Sequence, residues 1–244
     1  ALLAANRDHF DGQPYLENVS FRIFKDQKAL FAKMMDGTID VIYYTNPENI
    51  DILKQVTYFK HYKFLRPFYY ILAFQNMGIF KDRSVRTALN YAVNKKKLLE
   101  NVLKNDGKIS SGVIYPESWA YNKKMGPYPY NPRKALKLLH EAGWKDTNNN
   151  NILDKDGVEL DFNVLFKEGF AVDEKSLKHI LIDLNSIGVS MKARKYSTKE
   201  YNAFIIKKEF DAIIIDLVGR GDPDINYRFW HSSQIKNGRN FFSY

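Results

Sequence analysis

The sequence predicts an α/β fold whose sheet has at least five strands. Three observations carry this. Apolar residues recur with period two in some stretches and at helical spacing in others, and the two patterns alternate along the chain. The helical stretches open at capping residues and close at glycines. The run "DAIIIDLV" (211–218) is apolar on both faces, as a strand sandwiched between helices must be.

The elements follow in order. "NVSFRIF" (18–24) places Val19, Phe21 and Ile23 on one face of a strand. "DQKALFAKMMDG" reads as a helix with Asp26 as N-cap, Leu30, Phe31 and Met34 on one stripe, and Gly37 as its stop. "TIDVIYY" is the next strand, and "YFKHYKFLRPFYYILAFQN" (58–76) gives two extended stretches broken near Pro67. A long helix from about Ser84 to Leu103 turns Val85, Ala88, Leu89, Ala92 and Leu99 inward. The aromatic, proline-bearing stretch 112–132 has no clean period and reads as a long ordered loop.

Asn131 and Pro132 then open a helix with Ala135, Leu138, Leu139 and Ala142 inward, closed by Gly143. The strand "LDFNVLF" follows the polar stretch 146–157. Helix 174–187 carries Leu177, Ile180, Leu181, Leu184 and Ile187, and "GVSMKAR" alternates as a strand. "STKEYNAFIIKKEF" is a helix capped by Ser197 or Thr198, and it leads into the doubly buried strand 211–218.

Composition bounds the function. A chain of 244 residues can bury a substantial core, and 45% apolar with 27% charged residues is ordinary globular usage. No cysteine is present, which excludes disulfides, thiolate metal sites and a cysteine nucleophile. The net charge of +9 raises nucleic acid as a partner. The basic residues are scattered, however, and their densest runs, 94–104 and 190–199, have the spacing of solvated faces, so no nucleic-acid partner is expected. No apolar run approaches the ~20 residues of a membrane span.

Two short motifs invite a chemical reading. In "DTNNNNILDKDG" (146–157), Asp146, Asn148, Asn150 and Asp154 fall at the first, third, fifth and ninth positions of a calcium loop. Asn151 stands where such a loop needs Gly, and Gly157 stands where it needs a bidentate Glu, so a polar turn is the competing reading. "GRGDPD" (219–224) follows a buried strand as a dinucleotide-binding loop would, but its carboxylates would face a pyrophosphate. An acidic loop beyond a strand suits a cationic ligand group instead, unless Asp222 or Asp224 only caps the next helix. The five histidines show no metal-ligand spacing, and hydrolase, metalloprotease and Walker signatures are absent.

In order along the chain, "ANRDHFDGQPYLENVSFRI", "ALFAKMMDGTIDV", "VRTALNYAVNKKKLL", "SWAYN" with "PYPYNPRKALKLLHEAGW", "DTNNNNILDKDGVELDFNVL" and "FDAIIIDLVGRGDPD" resemble passages of one family. It is the extracellular solute-binding proteins of ATP-binding-cassette importers, in the dipeptide, oligopeptide and nickel group. The resemblance implies a type II periplasmic-binding-protein-like lobe with a mixed, mainly parallel sheet flanked by helices. It implies one α/β lobe over 1–244, with the first lobe and a C-terminal tail absent, since the family chain is about twice this length. It also identifies the Asn-rich stretch as the turn after the "EAGW" helix.

What the resemblance implies for function is capture of a peptide by a monomeric, non-enzymatic protein that needs no cofactor or metal and delivers to permease subunits. A nickel chelate or a sugar is the alternative ligand within the family, and a calcium-dependent adhesion or scaffold module the alternative outside it. The implied location is periplasmic or extracellular, with lipid anchoring as a variant. The ligand-binding candidates are Asp222, matching an amine-anchoring Asp, with Asp224 beside it, Phe74 and Asn76 on the strand ending "LAFQN", and Trp119 and Tyr121 in the aromatic loop. Many members carry Gly and Trp where this sequence has Asp216 and Leu217, which removes one aromatic wall of the ligand cleft.

Overall fold

The computed structural model describes every residue except 44, 46, 63, 66, 67, 220 and 221, and leaves the side chains of 47, 48 and 237 undescribed. The expected break at Pro67 and the Arg220–Gly221 pair of the "GRGDPD" motif therefore lie outside the described residues. The chain forms two compact units, Ala1–Tyr62 and Lys63–Tyr244.

In the first unit, β1 (Leu2–Ala4) and β2 (Asn18–Ser20) pair antiparallel with Leu3 opposite Val19. The expected strand 18–24 is cut to three residues, and Val19, Phe21 and Ile23 stay exposed, with no layer of the described residues over that face. Helix α1 (Gln27–Met35) starts as predicted, with the Asp26 carboxylate accepting the Ala29 N–H at 2.8 Å. It ends at Asp36, whose carboxylate is held down to about 2 by hydrogen bonds from Lys33 and Thr38. Gly37 then takes φ +77°. The expected strand "TIDVIYY" does not form over 38–43, and Tyr44 is not described. Helix α2 (Pro47–Gln55) completes the unit.

Among the described residues, the second unit is built on a four-stranded sheet, one strand short of the expected minimum. Its strands are β3 (Phe68–Phe74), β6 (Asp161–Lys167), β7 (Ser190–Tyr196) and β8 (Ala212–Val218), in the order β3-β8-β6-β7. β8, β6 and β7 are parallel, and β3 runs antiparallel to β8. The shortfall comes from stretches 18–24, 38–43 and 58–62, which alternate in sequence but, among the described residues, form no strand of this sheet.

Helices cover both faces. On one face lie α3 (Arg83–Ala92), α5 (Pro132–Glu141) and α6 (Ala171–Asn185), whose Val85, Leu89, Leu139, Leu177 and Leu184 pack with Phe74, Phe162, Val164 and Ile214. On the other, Tyr201 and Ile205 of α7 (Thr198–Lys207) pack with Tyr69, Leu165, Ile213 and Phe242. β8 is thus buried on both sides, as its sequence requires.

The long helix expected over 84–103 is two helices. Val93 is extended, and Asn94 caps α4 (Lys95–Asn101) by accepting the Lys97 N–H. The Asn94 N–H donates to Asp183 at 2.9 Å, so the break is fixed by a bond to α6. The apolar spacing continues across it, which is why periodicity alone could not show it.

The polar stretch 146–157 is held by turn chemistry. The Asp146 carboxylate accepts the N–H groups of Asn150 and Asn151, and Asp154 accepts the N–H and hydroxyl of Thr147. Asp156 and Gly157, both at positive φ, turn the hairpin of β4 (Asp154–Lys155) and β5 (Val158–Glu159). The carboxylates that suggested calcium are committed to the backbone. Among the described residues, no three His, Asp or Glu side chains are placed to hold a metal.

Candidate functional site at the ends of the parallel strands

The connections locate the site. From β6 the chain crosses through α6 to β7 on one side, and from β7 it returns through α7, on the opposite face, to β8 on the other side of β6. Strand order therefore reverses between β6 and β8, and in open α/β sheets ligands sit beyond the carboxyl ends of the strands at such a point. Here that place is bounded by the turn after β6 (168–170), the first turn of α6, the end of β8 and the start of β3.

The side chains there differ from those below. β8 runs apolar until Asp216, which by strand alternation shares a face with Ala212 and Ile214, against α6. Its register partner is Tyr70 of β3, 46% exposed. Across from it, Asp173 is only 5% exposed and lies on the buried stripe of α6 that continues through Leu177, Ile180 and Leu184. Burial first, and then the negative charge of Asp216, push the Asp173 carboxyl up to about 6, with Lys167 opposing. Lys167, the last residue of β6, sets its ammonium 4.4 Å from the centre of the Phe170 ring and 5.6 Å from that of Tyr201. The Tyr201 hydroxyl, raised mainly by burial, donates to the Ile214 carbonyl at 2.8 Å. Gly169, at φ +83°, makes the turn that brings Phe170 to the start of α6, where no side chain caps the helix.

A shallow depression of about 220 Å³ opens beside this edge, between Lys167, Phe170, Glu174 and Lys195. A larger one of about 490 Å³ lies along α5. Its walls are side chains of that one helix and its cap, with no second element converging on it, so the strand-end site has the better claim.

The candidates named from sequence separate into three places. Asp222 and Asp224 follow β8: the exposed Asp222 carboxylate accepts the Asp224 N–H at 3.0 Å and caps a short 3₁₀ turn, Pro223–Asn226. The Tyr69 hydroxyl donates to Asn226 at 3.2 Å and ties this turn to β3.

Phe74 and Asn76 lie at the opposite end of the sheet from Asp222 and Asp224. Phe74 pairs with Ala212, the first residue of β8, whereas Phe68 pairs with Val218, the last. Six residue steps separate the two ends, about 20 Å at strand rise. Phe74 is 7% exposed and stacks on Phe80 at 4.5 Å. Asn76 accepts from Arg86 at 3.0 Å and donates to the Ser243 carbonyl at 3.1 Å, fastening the end of the chain to the sheet.

Trp119 is 83% exposed, and the Tyr121 hydroxyl is spent on Ser111 at 3.1 Å inside the same loop. Leu217, read as replacing a cleft aromatic, is buried with Tyr69 and Ile213 on the α7 face. The residue of that pair facing α6 is Asp216. Asp173 was not singled out from sequence, although a carboxylate on the apolar stripe of a helix was a legible sign.

Comparison with known proteins decides the family. The model of bacterial extracellular solute-binding proteins, family 5 (middle region), matches residues 1–238. The chain belongs to that family. The oligopeptide-binding protein AppA of Bacillus subtilis is 33% identical over 99% of this chain and 45% of its own length. The structure of that protein in complex with a nonapeptide superposes with a TM-score of 0.81 at 31% identity, over 100% of this chain and 49% of that one. NikZ from Campylobacter jejuni in complex with Ni(L-His) gives a TM-score of 0.85 at 26% identity, again over 100% of this chain and 49% of that one. The fold is thus the type II periplasmic-binding class read from the sequence. The family 5 chain spans about half the length of the relatives it matches.

Proposed function

We propose that the protein carrying this chain is the substrate-binding component of an ATP-binding-cassette importer and that its solute is a peptide. The observation that carries the reading is the 33% identity to an oligopeptide-binding protein over 99% of the chain. The strand-end edge supports it chemically, since it offers carboxylates, aromatic rings and loop backbone, which suit a ligand with a charged terminus and a repeating amide. In this reading the protein acts as a monomer outside the cytoplasmic membrane, performs no covalent chemistry, and closes a second lobe over the ligand before meeting the permease. Asp222 and Asp224 lie on the loop edge of the cleft, and Trp119 covers the ligand from the aromatic loop.

The test is titration calorimetry of the full-length protein with di- to pentapeptides, nickel with histidine, and calcium. Saturable binding of peptides with no response to the other two is expected. Binding of nickel-histidine alone would replace the peptide reading with the chelate one.

A further inference from the structure

We infer that the outer face made by α3, α4 and α5, with the loop between α4 and α5, is a docking surface for an anionic lipid bilayer. The inference concerns where the protein rests rather than what it carries, so it holds whichever solute is bound.

The first observation is where the charge lies. From Arg83 to Glu141 the sequence holds twelve Lys and Arg against four Asp and Glu, so eight of the chain's nine excess positive charges fall in this stretch. The other 185 residues hold 25 basic and 24 acidic side chains and are close to neutral. Spread along the sequence, these cations look like ordinary solvated positions, but the fold draws them together at Tyr91. α3 packs on α5, and the Asn131 N–H donates to the Tyr91 carbonyl at 2.8 Å. The Tyr128 ring meets that of Tyr91 edge-on at 5.0 Å, and Lys134 places its ammonium 4.2 Å from the centre of the Tyr91 ring while donating to its hydroxyl at 2.8 Å. Lys96 and Lys97 follow Tyr91 at the start of α4, Lys123 and Lys124 precede Tyr128 in the loop, and Arg133 and Lys137 share α5 with Lys134. All six are exposed.

The second observation is a place for a headgroup. The depression of about 490 Å³ along α5 is lined by Arg133, Lys134 and Lys137 against the single carboxylate of Glu141. A hollow walled by one helix and open to one side is a poor cleft for a free solute. It suits the phosphate of a lipid that stays in its membrane.

The third observation is apolar. Met125, Tyr128 and Tyr130 are exposed between Lys124 and Arg133. A soluble polyanion needs only the cations, whereas apolar side chains set among cations are what enters the boundary between headgroups and acyl chains. Nucleic acid would ask for free rings on which bases can stack, and the Tyr128 ring is already set against Tyr91. The competing explanation is a lysine-rich face that only keeps the protein soluble. That role requires neither the segregation of charge nor the exposed Met125 and Tyr130.

The test is co-sedimentation of the full-length protein, made without lipid modification, with vesicles of phosphatidylcholine alone or mixed with phosphatidylglycerol. Binding to the mixed vesicles only, falling as salt is raised, is expected. Each Lys near an anionic surface is worth roughly a fivefold gain in partition, so Lys96→Glu with Lys97→Glu, and Lys123→Glu with Lys124→Glu, should each weaken binding at least about tenfold. Lys199→Glu with Lys207→Glu, on α7 across the sheet, makes the same change in net charge and should weaken it far less. Met125→Ser with Tyr130→Ser should weaken it at both low and high salt. All eight side chains are exposed, so the variants should melt with the wild type. Equal loss with the α7 pair would reduce the effect to net charge and overturn the inference. So would wild-type binding that ignores phosphatidylglycerol, or binding to polyglutamate or duplex DNA that is tighter than to the mixed vesicles.

Discussion

Replacing Asp173 by Asn tests the electrostatics of the strand-end edge without any ligand. The side chain keeps its volume and loses its charge. In the folded protein its carboxyl titrates at about 6, against 3.8 for an ordinary aspartate. Between those values the native state holds a proton that the unfolded chain has released, so stability falls as pH rises through the window from about 4 to about 6. Below pH 4 both states are protonated and the penalty is absent. Above pH 6 it is complete, at roughly 1 to 3 kcal/mol, the lower figure allowing for solvent at the edge of the carboxylate. The expected outcome of urea unfolding is that Asp173→Asn matches the wild type at pH 4 and exceeds it by that amount at pH 7.5. A variant less stable than the wild type at pH 7.5, or shifted equally at both pH values, would refute the argument.

Two further outcomes check the scaffold. Gly188 has φ +74°, and a Cβ there would lie 2.9 Å from Leu153 Cγ in the core, so Gly188→Ala should cost about 2 kcal/mol or more in urea unfolding. In the Asn-rich turn, Asp146→Ala removes the acceptor of two backbone N–H groups and should cost about 1 kcal/mol. Millimolar calcium should leave the melting temperatures of both the wild type and this variant unchanged, whereas a rise in the wild type alone would restore the calcium reading.

What the sequence made legible follows from how local each cause is. The caps at Asp26, Asn131 and Ser197 were readable because capping is a contact over three residues. β8 was readable because burial on both faces leaves an uninterrupted apolar run. The strand expected at 18–24 shrank to Asn18–Ser20 and none forms over 38–43, because alternation states what a strand could bury and not whether a layer exists to cover it. The break at Val93 was invisible because its cause, Asp183, lies 89 residues away from Asn94. The placement of Phe74 and Asn76 was hidden for a related reason. Phe74 ends β3 and Asn76 follows it, but β3 runs antiparallel, so its end is remote from the carboxyl ends of the parallel strands and its start is near them. Strand direction is a pairing property, and no period in the sequence encodes it.

The two ends of the sheet are built on opposite principles. At the end where β8 begins, polar groups are consumed. Arg86 donates to Asn76 and to the carbonyls of Phe80 and Lys81, and Asn76 holds the Ser243 carbonyl. The Asp211 carboxylate accepts the Asn163 N–H. At the end where β8 finishes, Asp173 and Asp216 accept no hydrogen bond from the described residues, Tyr70 and Phe170 remain half exposed, and the first turn of α6 has no side-chain cap. A buried carboxylate such as Asp173 lowers the stability of the protein, and hydrogen bonds of the first kind offset that loss some 20 Å away along the sheet. β8 joins the two, because its apolar faces fix it rigidly between α6 and α7. Asp216 is thereby held in place near the carboxyl end of a strand that cannot shift without disturbing both layers of the core.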